Sequence, residues 1–158
     1  MALRSDLSDR ACTIARGVDV LGDPWVVLVL RELFQGNERF DGIVAQTGAA
    51  ESVISRRLTL LVDQGLVAKV PYQSAWRTRM QYRLTESGRD TLPVLHALSR
   101  WSAKHSNDSR RIRVECLRCG TEPPSADWCP SCNAPLTSEH TGWRKASAPD
   151  VLTPLVGE

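Results

Sequence analysis

The stretch Asn37–Val67, "NERFDGIVAQTGAAESVISRRLTLLVDQGLV", decides the fold. It reads as a short helix over Arg39–Thr47, a turn at Gly48, and a longer helix over Glu51–Gln64 that Gly65 closes. In the longer helix Ile54, Leu58, Leu61 and Val62 recur at helical spacing and share one face. Ser52, Ser55, Arg56 and Thr59 project from the other face, with Arg57 on the flank, where the alternative to a DNA contact is a pair with an acidic residue of a neighbouring helix. Plain solvated helix faces tend to carry Glu and Lys pairs. A face of hydroxyls and a guanidinium suits hydrogen bonding to base edges and phosphates.

Outward toward the N-terminus, Ile14, Val18 and Leu21 predict a helix of about Asp9–Leu21. "GDPW" then resets the chain. Asp23 is a good N-cap, Pro24 fits a first helical turn, and the apolar run "WVVLVLRELFQG" reads as a buried helix that Gly36 ends. Outward toward the C-terminus, Leu66, Ala68, Val70 and Tyr72 alternate with Val67, Lys69 and Gln73. Met80, Tyr82 and Leu84 alternate with Gln81 and Arg83. These segments predict a hairpin whose tip lies around "SAWRTR", with Arg77 and Arg79 at or beside it. Trp76 is expected to cap the apolar side of this hairpin, with stacking against DNA or a ligand as the alternative. "LTESGRDTLPVLHALSRWSAKH" resumes helical spacing, with Thr85 as N-cap, Pro93 in a first turn or at a kink, and Leu92, Leu95, Leu98 and Trp101 on one face.

This order of elements is that of a winged helix-turn-helix: mainly α with a small β-hairpin, an α+β class. A helix fits the major groove of B-DNA, and a basic hairpin beside it fits the backbone or the adjacent minor groove. From Lys69 to Arg83 the chain carries Lys69, Arg77, Arg79 and Arg83 and no acidic residue. Sequence patches add a resemblance. "ACTIARGVDVLGDPWVVLVLREL", "RFDGIVAQTGAAESVISRRLTLLVDQGLV" and "YRLTESGRDTLPVLHALSRW" resemble the HxlR-type regulators, relatives of the MarR group, from about Cys12 to Trp101. The resemblance implies a homodimer formed mainly by the first and last helices of the domain, bound to a palindromic operator. It points to Ser52, Ser55, Arg56 and Arg57 in the reader, and to Cys12 as a thiol that senses electrophiles or oxidants. The alternative for Cys12 is a small apolar residue on a helix. Pro24 stands where the family often has Arg, and the family pattern says nothing of the chain beyond Ser106.

That remaining part holds the sequence's other signal. Cys116-x-x-Cys119 and Cys129-x-x-Cys132 are two short chelating turns separated by nine residues. Four thiolates in tetrahedral array suit one structural Zn²⁺ with no open position. A module of about 30 residues buries too little apolar area to fold unaided, so a staple is expected. Trp128 and Trp143 are expected in its core, and His140 would ligate only if a cysteine were displaced. The domain reading is 1–105 for the winged helix, 106–145 for the zinc-ribbon-like module, and 146–158 for a flexible tail.

Composition bounds the rest. The 158 residues are 42% hydrophobic and 24% charged, ordinary for a globular chain. The longest apolar run, Trp25–Leu30, is far too short to span a bilayer, and "MALRSDLSDRAC" lacks a signal peptide's apolar stretch. A cytoplasmic, non-membrane protein is expected, in a compartment that favours metal-bound over disulfide-bonded cysteines. No triad, carboxylate pair or phosphate loop stands out, so no enzyme is expected. The sequence leads to a DNA-binding transcriptional regulator, a repressor acting as a homodimer on double-stranded DNA, with a small-molecule or oxidant effector as an option. The alternatives are an adaptor that uses the winged helix and ribbon to hold proteins, and a thiol- or metal-responsive sensor.

Overall fold

The helix-turn-helix stretch folds as its periodicity requires in a computed structural model of the chain, which describes residues 6–108 and 110–157. Two compact units divide the chain. The first comprises the described residues up to Glu32 together with Asn37–Thr85, and the second comprises Leu33–Gly36 with residues 86–157.

The first unit opens with α1 (Thr13–Leu21) and α2 (Pro24–Phe34), whose last two residues, Leu33 and Phe34, count with the second unit. Helix α1 starts later than its periodicity suggests, because a turn that closes Arg10 N onto the Leu7 carbonyl at 3.1 Å precedes it. Asp23 caps α2 as expected: its Oδ1 accepts from Trp25 N at 2.9 Å. Then come α3 (Phe40–Thr47) and α4 (Glu51–Asp63). Gly48 joins them at φ +70°, a left-handed backbone that a side chain disfavours. Ile43, Ile54, Leu58 and Leu61 are 0–1% exposed, so the apolar face read from the sequence is the buried one. Strands β1 (Val67–Gln73) and β2 (Thr78–Leu84) pair antiparallel, Val67 opposite Leu84 through Gln73 opposite Thr78. Thr85 Oγ1 donates to the Gly65 carbonyl at 2.6 Å and ties the hairpin's end to the end of α4.

The second unit holds α5 (Glu86–Arg89) and α6 (Leu92–His105). Pro93 lies in the first turn of α6, so the helical pattern there is two helices rather than one. Beyond Ser106 a three-stranded sheet runs β3–β6–β7, with β3 (Arg113–Cys116), β6 (Thr141–Lys145) and β7 (Ala148–Pro154). A second pair joins β4 (Trp128–Cys129) to β5 (Ala134–Pro135).

The compact units divide at Thr85, inside the segment 1–105 read from the sequence as one domain, and α6 lies in one unit with the ribbon. The reason is polar: His96 Nδ1 bonds the Ala126 carbonyl at 2.9 Å, and Arg100 Nη1 donates to the Pro123 carbonyl at 3.0 Å. The segment 146–158, expected to be flexible, contributes β7, an edge strand where Pro149 and Pro154 are tolerated. Leu155 is buried there, and Leu155 N and Val156 N donate to the carbonyls of Thr141 and Phe34, both at 2.9 Å. Of the two tryptophans expected in the ribbon's core, Trp143 is 2% exposed but Trp128 is 42% exposed.

Candidate nucleic-acid interface and metal centre

On α4 the reader residues divide by their partners. Ser52, Ser55, Arg56 and Thr59 are exposed. Arg56 keeps one backbone contact, Nε to the Ser52 carbonyl at 3.1 Å, and meets no carboxylate among the described residues. Its charge is therefore available to an outside anion. Thr59 Oγ1 donates to the Ser55 carbonyl at 3.0 Å, which leaves its lone pairs facing out.

Arg57 is different. Its Nη2 lies 2.6 Å from Asp23 Oδ2, with both side chains less than one-third exposed. Burial pushes the Asp23 carboxyl up, but the hydrogen bonds from Arg57 and from the Trp25 and Val26 amides together outweigh it and hold the carboxyl below its ordinary value. Asp23 therefore caps α2 and grips α4 through one side chain. Sequence reasoning named the cap and held open a pair between Arg57 and an acidic residue of a neighbouring helix; Asp23, 34 residues away, is that residue.

The hairpin supplies the second set of cations. Arg77 is exposed with no acidic partner among the described residues, and Arg79 Nη1 sits 3.7 Å from a largely exposed Asp41 carboxylate. Arg83 Nε pairs with Glu38 at 3.2 Å and is less free. The Arg39 guanidinium lies 5.0 Å from the Tyr72 ring centre. Trp76, expected to cap the apolar side of the hairpin, is instead 96% exposed. Strand alternation could not settle it, because Trp76 lies beyond both strands.

In the second unit the four cysteines converge, with all four Sγ atoms within 4.8 Å of one another. Cys116 Sγ lies 3.7 Å from Cys132 Sγ, and Cys119 Sγ 3.6 Å from Cys129 Sγ. A tetrahedral ion with bonds of about 2.3 Å has ligand–ligand edges of about 3.8 Å, so the separation matches. Each chelating turn ends on a left-handed residue directly after its second cysteine: Gly120 at φ +70° and Asn133 at φ +50°. In the first turn Gly120 N donates to the Cys116 carbonyl at 2.8 Å, and Cys116 N to the Thr121 carbonyl at 2.9 Å.

The thiols behave as a crowded set. Hydrogen bonds from Thr121 bring Cys119 down to about 6, while the bond with Cys119 leads the causes that push Cys132 up to about 12. Such thiols cannot all ionise side by side without a cation among them. The donor set fits a soft, tetrahedral dication. His140 takes no part: its Nδ1 contacts Thr137 Oγ1 at 2.8 Å and its Nε2 the Arg118 guanidinium at 2.9 Å.

One node of this unit reads from the sequence only as a helix residue with no chemistry. His96 is 1% exposed on α6. The Trp143 indole N–H donates to His96 Nε2 at 2.9 Å, which fixes the proton on Nδ1, where it is given to the Ala126 carbonyl. Burial, as the largest cause, holds the imidazole below its ordinary value. Its spacing from Leu92 was the available signal, since both lie on one helix face. Phe34 also meets Trp143, with ring centres 6.1 Å apart and planes tilted by 55°.

Cys12 is exposed at the N-cap position of α1, with no side-chain cap bond. No described helix is long and apolar enough to cross a membrane.

These parts have counterparts in known proteins. The model of the HxlR-like helix-turn-helix family matches residues 20–110. This chain belongs to that family. It is 32% identical over 140 residues to an HTH-type transcriptional regulator of Mycobacterium tuberculosis, covering 86% of this chain and 88% of the relative. YvaP of Bacillus subtilis, also named an HTH-type transcriptional regulator, is 32% identical over 92 residues, or 56% of this chain and 82% of the relative. Among solved structures, the candidate transcription factor PA1607 superposes with a TM-score of 0.69 at 30% identity, over 84% of this chain and 93% of its own. PA1374 of Pseudomonas aeruginosa gives 0.52 at 31% identity, over 72% and 78%. The HxlR-like chain is thus a transcriptional regulator of helix-turn-helix type and not an enzyme. Its similarity to the mycobacterial relative extends into the cysteine-bearing part.

Proposed function

We propose that the protein is a homodimeric repressor that places α4 of each subunit in successive major grooves of a palindromic operator. The observation that carries this reading is the division on α4. The buried face is apolar, the one inward-tied cation is Arg57, and Ser52, Ser55, Arg56 and Thr59 stand exposed. Arg56 and the hydroxyls contact bases and phosphates, Arg77 and Arg79 hold the backbone beside the wing, and Arg57 positions the reader through Asp23.

Dimerisation rests on uncovered apolar side chains. On α1, Ile14 is 75% and Val18 52% exposed; on α6, Val94, Leu98 and Trp101 are 42%, 49% and 68% exposed. Such residues on two helices ask for a partner surface. A second copy of the chain also doubles the base pairs read, which one reader helix leaves too few. Occupancy of a promoter duplex by this dimer excludes polymerase, so the expected sign is repression.

In the second unit the four cysteines hold one zinc ion with a structural role. Four basic residues around it pair with carboxylates, Arg111 and Arg113 with Glu122, Arg144 with Glu115, and Arg110 with Asp108, while Arg118 contacts the His140 ring. This favours a ribbon that braces α6 over one that grips DNA.

The test is fluorescence anisotropy on duplexes that the protein selects from a random library. Affinity falls steeply with salt, because bound cations displace condensed counterions. Arg56→Ala costs about 1–3 kcal/mol of binding and Arg57→Ala far less at equal folded fraction. Trp101→Glu yields a monomer by light scattering and loses tight binding. Salt-independent binding, or an Arg56→Ala variant as tight as the parent, defeats the reading.

A further inference from the structure

The wing carries a feature that reading by base edges does not use. Trp76, 96% exposed, is the most exposed of the large apolar side chains among the described residues. Its backbone is not loose. Ser74 N and Ser74 Oγ both donate to the Arg77 carbonyl, at 3.0 and 2.6 Å, and Gln73 Nε2 donates to Thr78 Oγ1 at 3.0 Å directly below the tip. A single exposed apolar residue is ordinary on a protein surface and decides nothing alone. Its surroundings decide. Arg77 follows it directly in the chain, and a groove of about 410 Å³ at the hairpin is lined by Arg39, Lys69, Arg77 and Arg79 against one carboxylate, Asp41. Tyr72, Met80 and Tyr82 make its apolar wall.

A cationic rim around a projecting flat apolar ring is complementary to a polyanion whose interior is flat and apolar. That is a stacked nucleic acid, not an acidic protein surface, which would leave the indole in water. The same hairpin follows the reader helix with only Gln64, Gly65 and Leu66 between them, so a duplex on α4 meets the wing next. We propose that Trp76 is a wedge: the wing enters the minor groove beside the major groove that α4 reads, and the indole inserts at one base step, unstacking it and bending the duplex. Arg77, Arg79 and Lys69 hold the flanking phosphates. The proposal rests on the DNA-binding reading above and deepens it. It assigns specificity to a step that no base-edge contact reads: pyrimidine–purine steps unstack at least cost and are favoured opposite the wing.

The experiment uses the full-length, metal-loaded protein and duplexes that the wild type selects from a random library. Affinity is measured by anisotropy, bending by circular permutation, and unstacking by permanganate reactivity of thymines on the wing side. Trp76→Ala is expected to lose about tenfold or more in affinity, the scale of one base–aromatic stack. It also straightens the duplex and silences the reactive thymine, while Trp76→Phe keeps most of all three. A mismatch placed at the wing-side step prepays unstacking, so it tightens wild-type binding and leaves Trp76→Ala indifferent. Equal melting temperatures confirm that the exposed ring does not serve the fold. A Trp76→Ala variant that binds and bends as the wild type does overturns the wedge and leaves the reader helix standing. A wild type that retains no duplex overturns the DNA reading and the wedge with it.

Discussion

The first unit hides Val26, Val29, Leu30, Ile43, Ile54, Leu58 and Leu61 almost completely, whereas the ribbon's own cluster is Cys116, Cys129 and Leu136, with Cys132 packed against it. Each buried aliphatic side chain contributes about 1.5–3 kcal/mol, so the first unit is held by removal of apolar surface from water. The cysteine cluster has no comparable store of its own and depends on coordination, although Leu92, Val114, Trp143 and Leu155 are buried elsewhere in the second unit. The two regions should therefore fail under different insults. The first should respond to lost volume, and the second to lost metal.

The largest effect expected is in the ribbon. Removing zinc with a chelator, or replacing Cys129 by Ser, should unfold residues around the site, since metal binding in such modules supplies on the order of 10 kcal/mol of folding free energy. Elemental analysis should find one zinc per chain. Limited proteolysis should open cleavage between β3 and β6 while α4 stays protected. A metal-free chain with an intact, protease-resistant ribbon would end the contrast. The opposite insult is Leu58→Ala. Leu58 is 1% exposed, and deletion of such a core side chain costs about 2–5 kcal/mol. Calorimetry should show the melting of the first unit shifted down with zinc content unchanged. Loss of metal in Leu58→Ala would mean that the two units do not fail separately.

The same contrast explains what the sequence made legible. Period and punctuation carried the first unit: Ile54, Leu58 and Leu61 repeat at helical spacing, and Gly48 marks the turn that only a left-handed residue fits. The four cysteines announced their own convergence through ligand spacing. What stayed hidden depends on partners far apart in the chain. The assignment of α6 to the ribbon rests on bonds from His96 and Arg100 to backbone carbonyls some 30 and 23 residues away. The strand β7 reads as a loose tail because prolines at an edge look like disorder until the neighbouring strand is known. Arg57 and Arg56 are adjacent and chemically identical, yet one turns inward to Asp23, and only three-dimensional placement separates them.

An intermediate effect is expected at His96, where the second unit meets acid. A depressed imidazole binds a proton more readily in the unfolded chain than in the folded one. The neutral form therefore stabilises the fold above the ordinary value of about 6.5, and that contribution is lost as pH falls below it toward the folded value. Protonation would also set an N–H against the Trp143 N–H donor. The second unit should lose stability on acidification through this window while the first does not. Trp143→Phe, which strands His96 Nε2 without its donor, should cost about 1–3 kcal/mol at neutral pH. His96→Gln retains an amide donor and an acceptor and should flatten the dependence. A pH profile unchanged in His96→Gln would show that another group governs it.

The smallest effect sharpens the comparison inside the first unit, at Asp23 and Arg57. Asn is as good a cap as Asp, so Asp23→Asn removes the charge pair and keeps the cap, at about 0.2–1 kcal/mol. Asp23→Ala removes both and should add about 1 kcal/mol more. Because the Asp23 carboxyl is held below 3.8, its ionised form stabilises the fold above that value. The contribution disappears as pH falls through the lower, folded value, so Asp23→Asn and the wild type should converge in acid. In a double-mutant cycle Asp23→Asn and Arg57→Ala should be less than additive in stability, since each breaks the same 2.6 Å contact. Arg56→Ala should add independently to either and act on DNA affinity instead. If Arg57→Ala lowers affinity as much as Arg56→Ala at equal folded fraction, the inward pair opens on DNA, and Arg57 belongs with the reader rather than with the frame that aims it.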